Sequence, residues 1–112
     1  QYARDLSVSY IKLGDLYLKL GEQHKGLEFY EKSLKIHEEL RRKSPDSAEY
    51  ARDLVVSYYK LACCYEEKKN QEKMQSYRCL CCDGILAMKK RGMYVDQPLL
   101  NVLNRWQDGK GR

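Results

Sequence analysis

The chain has 112 residues, of which 43% are hydrophobic and 33% charged, a size and composition typical of one globular domain with a single core. No apolar run approaches the roughly 18 residues of a membrane span, so the composition predicts no membrane segment. The formal net charge is +5, but 16 acidic residues are interspersed among 21 basic ones, which disfavours a dedicated nucleic-acid binder.

The first predicted helix covers residues 2–20 and ends at Gly21, because glycine accepts the left-handed geometry of a helix C-terminus. Apolar residues recur along one side at spacings of three and four, which predicts a face packed on a core; they are Ala3, Leu6, Tyr10, Leu13, Tyr17 and Leu20. A second stripe of Val8, Ile11 and Leu18 indicates that another side of this helix also contacts apolar surface. If the helices stack as repeats, this second side faces the concave surface of the stack.

The second predicted helix covers residues 23–43 and stops at Ser44-Pro45, because the residue before proline is pushed out of helical geometry. Asp46, with Glu49 three residues later, resembles a capping box that starts a third helix over residues 47–68. That helix repeats the apolar stripe of the first one as Ala51, Leu54, Tyr58, Leu61 and Tyr65.

A fourth helix is predicted over residues 71–91, where Gly84 marks a close approach of two backbones. Its apolar stripe consists of Met74, Tyr77, Cys81, Ile85 and Met88. Asp96 can cap a last helix over residues 96–108. The apolar face of that helix is Leu99, Val102, Leu103 and Trp106.

Residues 2–17 return as residues 50–65, with eleven of the 16 positions identical at an offset of 48 residues. A fixed period of this length is typical of stacked repeats, in which each unit leaves an apolar face for its neighbour to cover. At the same offset Trp106 falls on Tyr10 and Tyr58, so the last helix is predicted to open a third unit.

The repeated stretch resembles the tetratricopeptide repeat pattern W-x2-L-G-x2-Y, with tyrosine in place of tryptophan. The matching residues are Tyr10-x2-Leu13-Gly14-x2-Tyr17 and Tyr58-x2-Leu61-Ala62-x2-Tyr65, followed in the first unit by Gly26-x3-Tyr30. The family repeat is about 34 residues long, so this one is about 14 longer, close to four helical turns. In the second unit Met74-x3-Arg78 departs from the pattern, which indicates that its helix either is shifted or has lost its groove-forming role.

The predicted fold is all-α: a right-handed α-solenoid of antiparallel helix hairpins. It consists of two tetratricopeptide-like units, at about residues 2–45 and 46–92, and a terminal helix at about residues 96–108. The whole chain forms a single repeat domain. Because it begins at Gln1 inside the repeat pattern, we expect it to be a fragment of a longer protein.

The resemblance implies a non-catalytic scaffold that binds a peptide or protein segment in the concave face. Under the family geometry that face is lined by Arg4, Val8, Ile11, Asp15, Leu18, Arg52, Val56, Tyr59, Cys63, Glu66 and Asn104, with Leu100 beside them. Some members clamp a chaperone's terminal carboxylate with basic and amide side chains here. In this chain those places hold Ile11, Asp15, Tyr59 and Cys63, which disfavours that ligand, while Arg4 and Arg52 favour an acidic segment.

The sequence offers little for catalysis, metals or cofactors. His24 and His37 are its only histidines, and neither belongs to a metalloprotease, nucleophile or phosphate-loop motif. The five cysteines lie within predicted helices, where adjacent thiols point about 100° apart, so we predict packing residues and free thiols rather than a metal site. Free thiols suit a reducing compartment, the cytoplasm.

Two alternatives stay open. The chain could be a self-assembly module whose open repeat ends stack into a homo-oligomer, in which case Ile11, Val56 and Tyr59 contact another subunit. It could also contact anions or nucleic acid along a basic edge formed by residues 41–43 and 89–91, although cations at a helix C-terminus are equally explained by the helix dipole. The identity of a protein partner does not follow from the sequence.

Overall fold

A computed structural model describes the backbone of residues 2–110 and the side chains of residues 2–107. Within this range the chain forms α1 (Tyr2–Lys19), α2 (Gln23–Lys43), α3 (Ala48–Glu67), α4 (Gln71–Lys90) and α5 (Gln97–Lys110), and each helix packs against the next. The all-α prediction is confirmed. We call α1 with α2 the first hairpin and α3 with α4 the second hairpin. None of the helices described is long and apolar enough to cross a membrane.

Helix ends lie where the sequence supplies a residue that satisfies or redirects the backbone. α1 ends before Gly21, whose φ of 81° is the left-handed geometry expected there. α4 begins after Asn70, whose side chain accepts a hydrogen bond from Lys73 N. α5 begins after Asp96, whose carboxylate accepts a hydrogen bond from Leu99 N at 3.1 Å, as predicted.

The start of α3 differs from the prediction. Its N-cap is Ser47, whose hydroxyl accepts a hydrogen bond from Tyr50 N at 3.1 Å. Asp46 instead pairs with Arg91 at the end of α4. The predicted capping box of Asp46 and Glu49 is therefore wrong, and the N-cap lies one residue later, at Ser47. A serine hydroxyl can satisfy the free N–H groups of a helix start as well as a carboxylate does.

The two hairpins repeat each other at the 48-residue offset. In the first, the Phe29 ring stacks on Tyr17 with centroids 5.5 Å apart. In the second, Tyr77 stacks on Tyr65 at 5.7 Å. Helix α4 thus keeps the register of α2, so of the two alternatives for this helix the shift does not occur.

Glycines allow the two helices of each hairpin to pack closely, but at positions that do not correspond between the hairpins. In the first hairpin a Cβ added at Gly14 would lie 2.5 Å from the Tyr30 ring and 3.1 Å from the carbonyl oxygen of Gly26. In the second, a Cβ at Gly84 would lie 2.5 Å from Val55 Cγ1. Gly84 is therefore a point of close helix packing, but its neighbour is the Val55 side chain rather than the second backbone that was predicted.

The buried side chains form two clusters. The first joins α2, α3 and α4 across the two hairpins and consists of Leu27, Tyr30, Leu34, Leu61, Cys64, Tyr65 and Met74. The second joins α3 and α4 to α5 and consists of Ala51, Val55, Ala62, Cys81, Cys82, Ile85, Met88, Leu99, Val102, Leu103 and Trp106. Helix α5 therefore covers the second hairpin on the side away from the first.

The apolar stripe of α1 is not a core stripe along its whole length. Leu13 is 37% exposed and Leu20 is 63% exposed, whereas Ser7 and Gly14 are the fully buried residues of this helix. The counterpart of Leu13 in the second hairpin is Leu61, which is completely buried. The difference arises because α2 covers this side of α3, while no described helix covers the same side of α1.

Candidate partner-binding face

The residues predicted for the concave face stand on α1, α3 and α5, and none of them is fully buried. We call them the groove face. Seven line two hollows that join the first and second hairpins; they are Val8, Ile11, Leu18, Arg52, Val56, Tyr59 and Cys63. Arg4, Asp15 and Glu66 make ion pairs on α1 and α3. Asn104 is exposed on α5, and no hydrogen bond within the described residues connects it to the others.

The first hollow has a volume of about 130 Å³, and we call it the valine hollow. It is lined by Val8, Ile11, His37, Arg52, Asp53 and Val56. The two valines and the isoleucine come from matching helices of the two hairpins, so the second stripe of the sequence forms this surface. A hollow of this size accepts a small apolar side chain.

The second hollow has a volume of about 220 Å³, and we call it the tyrosine hollow. It is lined by Leu18, Gln23, Tyr30, Tyr59, Lys60, Cys63, Cys64, Glu67 and Lys68. Small-molecule and cofactor sites usually measure about 300–1,000 Å³. The tyrosine hollow is smaller and largely apolar, so it suits one large side chain of a partner better than a cofactor.

The two arginines of the groove face are already paired with carboxylates of their own chain. Arg4 donates from Nε and Nη2 to Asp53, at 2.8 and 3.3 Å, and this pair bridges the two hairpins. Arg52 pairs with Asp96 at the start of α5, and this contact lowers the pKa of the Asp96 carboxyl. The attraction for an acidic partner is therefore weaker than the sequence suggests.

The two acids of the groove face are also paired. Asp15 accepts a hydrogen bond from Lys60 Nζ at 3.1 Å and another from the Tyr30 hydroxyl. Burial and this carboxylate together raise the pKa of Tyr30 well above its usual range. Glu66 pairs with Arg78 of α4, with 3.5 Å between Glu66 Oε2 and Arg78 Nη2. The four charged side chains of the groove face are thus all paired within the chain, and apolar surface dominates the two hollows.

Tyr59 and Cys63 stand one helical turn apart at the centre of the groove face. The Tyr59 ring stacks on Trp106 of α5, with centroids 5.3 Å apart and planes at 24°. This contact makes Tyr59 half-buried, which its prediction as a concave-face residue did not include. Burial raises the pKa of the Cys63 thiol, so the thiol stays protonated near neutral pH and is not activated as a nucleophile.

A buried polar cluster lies beneath the valine hollow. His37 contacts Ser57 Oγ through Nδ1 at 2.6 Å and Ser7 Oγ through Nε2 at 2.9 Å. Ser33 Oγ donates to the backbone carbonyl of Ser7 at 3.0 Å. Sequence reasoning did not predict this cluster, although a histidine on the apolar side of α2 was a usable signal.

The described residues contain no grouping of three or more His, Cys, Asp or Glu side chains able to hold a metal ion. None of the five cysteines forms a disulfide within the described residues, and Cys64, Cys81 and Cys82 are buried. Burial raises the pKa of Cys81 to about 12. Cys64, Cys81 and Cys82 pack in the two buried clusters, whereas Cys63 lines the tyrosine hollow and Cys79 is partly exposed.

Hairpins that pack in sequence and repeat the same aromatic contacts define a helical repeat protein. The tetratricopeptide repeat family matches residues 7–39 and 55–82, together more than half of the chain, and the chain belongs to this family. Its repeats generally mediate protein–protein interaction and are typically not catalytic. No curated protein and no solved structure matches the chain.

Proposed function

We propose that the chain is a non-catalytic scaffold that binds a segment of a partner protein along the groove face. One observation carries this proposal: two hollows of side-chain size open on the same set of helices, and both join the two hairpins. A segment that places one small and one large apolar side chain at the right spacing would fill both.

The ligand is recognised by its side chains rather than by its backbone. The groove face consists of helices, whose backbone groups are already hydrogen-bonded, so a partner cannot add to it as a strand does to a sheet. Because the charges of Arg4, Arg52, Asp15 and Glu66 are compensated, ionic contacts set orientation and association rate more than affinity. Tyr59 is expected to be the main anchor, since large aromatics at the centre of an interface dominate binding energy.

We place the first unit at about residues 2–45, the second at about 46–92 and the terminal helix at about 96–108, in a right-handed array. The free thiols of the described residues favour a reducing compartment, and we propose the cytoplasm.

The basic-edge alternative receives little support from the charges. Arg42 and Lys43 pair with Glu39, and Arg91 pairs with Asp46. Acidic side chains are therefore interleaved along this edge, which reduces the field that an anion or a nucleic acid would meet.

Head-to-tail self-assembly would need two complementary apolar ends. The outer side of α5 instead exposes polar residues, namely Gln97, Asn101, Asn104, Arg105 and Gln107. A stacked homo-oligomer would have to bury these groups, which costs free energy unless each finds a hydrogen-bond partner.

The test uses a library of random 12-residue peptides displayed on phage and selected against the full chain. Enriched peptides are synthesised with a fluorophore, and their affinity is measured by anisotropy for the unmodified chain and for Val8→Glu and Cys63→Glu. A carboxylate in either hollow should weaken binding by tenfold or more, about 1.4 kcal/mol.

The matched control is Leu86→Glu, because Leu86 is a 38% exposed leucine on α4, outside both hollows. Circular dichroism checks that each variant keeps its helical content. The proposal fails if the enriched peptides bind Val8→Glu and Cys63→Glu as tightly as the unmodified chain, or if Leu86→Glu weakens them equally.

A further inference from the structure

The first hairpin has an exposed side whose counterpart in the second hairpin is an interface. We call it the N-terminal face and define it as Asp5, Lys12, Leu13, Leu16, Tyr17 and Leu20, all on or just after α1. The leucines at 13, 16 and 20 are 37%, 50% and 63% exposed. Such a concentration of exposed leucine on one helix side is unusual for a surface that meets only water.

The same positions on α3 show what covers a face of this kind. Leu61 and Tyr65, the counterparts of Leu13 and Tyr17, are 0% and 5% exposed. Cys64, the counterpart of Leu16, is 6% exposed. These residues are buried in the cluster that contains Leu27, Tyr30 and Leu34 of α2.

The polar contacts across that interface follow the same correspondence. Asp53 binds Arg4 of the first hairpin, and Lys60 binds Asp15 of the first hairpin. In addition, the Tyr65 hydroxyl donates to Glu31 at 3.1 Å. Both ion pairs therefore join a residue of α3 in the second hairpin to the first hairpin, which covers it.

The N-terminal face carries equivalents of these residues. Asp5 is equivalent to Asp53, and Lys12 is equivalent to Lys60. Both are exposed, and neither has an ion-pair partner among the described residues. Leucine side chains and two unpaired charges thus lie in the same arrangement that elsewhere in the chain meets a second hairpin.

We propose that the N-terminal face docks another tetratricopeptide hairpin of this 48-residue type. Its first helix would place an arginine opposite Asp5 and an aspartate opposite Lys12, eleven residues apart as Arg4 and Asp15 are. Its second helix would cover Leu13 with a Leu–Tyr–Leu stripe spaced like that of α2.

A second copy of the described chain offers no such surface. The stripe of α2 is occupied by α3. The same positions of α4 are Gln75, Arg78 and Cys82, of which Cys82 is buried against α5 and Arg78 lies over the ring of Trp106. The occupant is therefore a hairpin with the chemistry of the first one, not the opposite end of another copy.

The experiment joins a second copy of residues 1–48 directly ahead of Gln1 of the full chain. In this tandem chain the original Gln1 takes the place that Glu49 has after Ala48, so the register of the repeat is preserved. Leu13→Ala is introduced into the original copy, both in the tandem chain and in the single chain. Burial in the tandem chain should make the loss in the free energy of unfolding at least about three times as large as in the single chain. Urea denaturation measures it, because the same loss of free energy shifts the melting temperature of a longer chain less.

A charge exchange tests the register of the docked hairpin. Asp5→Lys in the original copy should lower the melting temperature of the tandem chain, and Arg4→Glu in the added copy should restore most of the loss. In the single chain Asp5→Lys should lower the melting temperature by a smaller amount, because Asp5 lies in the first turn of α1 and a lysine there opposes the helix dipole. Restoration by Arg4→Glu would support docking in the α1–α3 arrangement, and its absence would contradict that arrangement.

Three results would overturn the proposal. In the first, Leu13→Ala costs no more in the tandem chain than in the single chain. In the second, the tandem chain melts in two separate steps, which means that the added hairpin does not pack. In the third, light scattering shows the single chain as a dimer that Leu16→Glu makes monomeric while the control Leu80→Glu on α4 does not, which would assign the face to a second copy.

Discussion

The imidazole of His37 on α2 lies with Nδ1 2.6 Å from the hydroxyl of Ser57 on α3, so a buried hydrogen bond connects the two hairpins. On its other side Nε2 lies 2.9 Å from Ser7 Oγ, and Ser7 Oγ donates to the carbonyl of Arg4. Because Ser7 uses its proton in that bond, the network assigns the imidazole proton to Nε2 and makes Nδ1 the acceptor. The neutral ring is therefore satisfied at both nitrogens.

This geometry predicts that stability falls in mild acid. Burial lowers the pKa of His37 below its usual value of about 6.5, and Arg4 adds to this effect while Asp53 opposes it. The unfolded chain therefore binds a proton here at a higher pH than the folded chain does. Stability is full above about pH 6.5 and falls as the pH decreases, by at most about 1.4 kcal/mol per pH unit.

Urea unfolding at pH 7.5 and 5.5 measures the effect. His37→Ile should remove most of the pH dependence, since Ile85 occupies the equivalent place in the second hairpin. His24→Gln is the matched control, because His24 is exposed and its replacement should leave the dependence intact. An equal pH dependence in His37→Ile would show that other groups cause it.

A second prediction concerns the contact between Tyr59 and Trp106. Trp106 is 9% exposed, so Trp106→Ala should cost about 3–5 kcal/mol in the free energy of unfolding. The stacked pair should add a coupling of about 0.5–1.5 kcal/mol in a double-mutant cycle. Chemical denaturation of both single variants and the double variant measures it. Additive effects would mean that the rings do not interact in solution.

Packing within the first hairpin gives a third prediction. Alanine is favoured over glycine inside a helix by about 1 kcal/mol, so propensity alone predicts that Gly14→Ala stabilises the chain. The added methyl group would, however, lie 2.5 Å from the Tyr30 ring, and overpacking costs about 1–3 kcal/mol. We expect net destabilisation, measured as a lower denaturation midpoint. A stabilised variant would show that α1 and α2 can separate without loss.

Much of the fold was predictable because its determinants are local. Helix α2 begins after the turn at Gly21 and ends before Ser44-Pro45, as predicted. These signals are local, because glycine and proline restrict or permit backbone angles at their own positions and at the residue beside them. The register of α4 was less apparent, because Met74 departs from the family pattern. It is fixed by Tyr77, which packs against the aromatics of α3 as Phe29 does against α1.

The parts that escaped prediction depend on other helices. Leu13 and Leu61 occupy the same place in the pattern, yet their exposure is 37% and 0%, because only one of them has a helix packed upon it. Tyr59 was predicted only as a residue of the concave face, and its partial burial depends on where α5 places Trp106. The groove face shows the same limit: periodicity selects the helix side, but the pairing of its charges is decided by neighbouring helices.

The last prediction uses the five thiols to test both the packing and the groove face. Thiolate is the reactive form of cysteine, and burial raises the pKa of Cys64 to about 11 and that of Cys81 to about 12. An aromatic disulfide reagent at pH 8 should therefore modify the two partly exposed thiols, Cys79 and Cys63, before the others. Cys63 should react more slowly than Cys79, because burial raises the pKa of the Cys63 thiol. The three buried thiols should react only as the chain unfolds. Mass spectrometry of digested samples gives the order.

Cys79→Ser is the control, because it should remove the fastest phase and leave the others unchanged. Rapid modification of Cys81 in the native chain would contradict the packing of α4 against α3. A peptide bound along the groove face should slow modification of Cys63, which lines the tyrosine hollow, while Cys79 on the exposed side of α4 should react at its original rate. Equal protection of both thiols would point to general stabilisation of the chain, because a ligand in the tyrosine hollow cannot shield Cys79 directly.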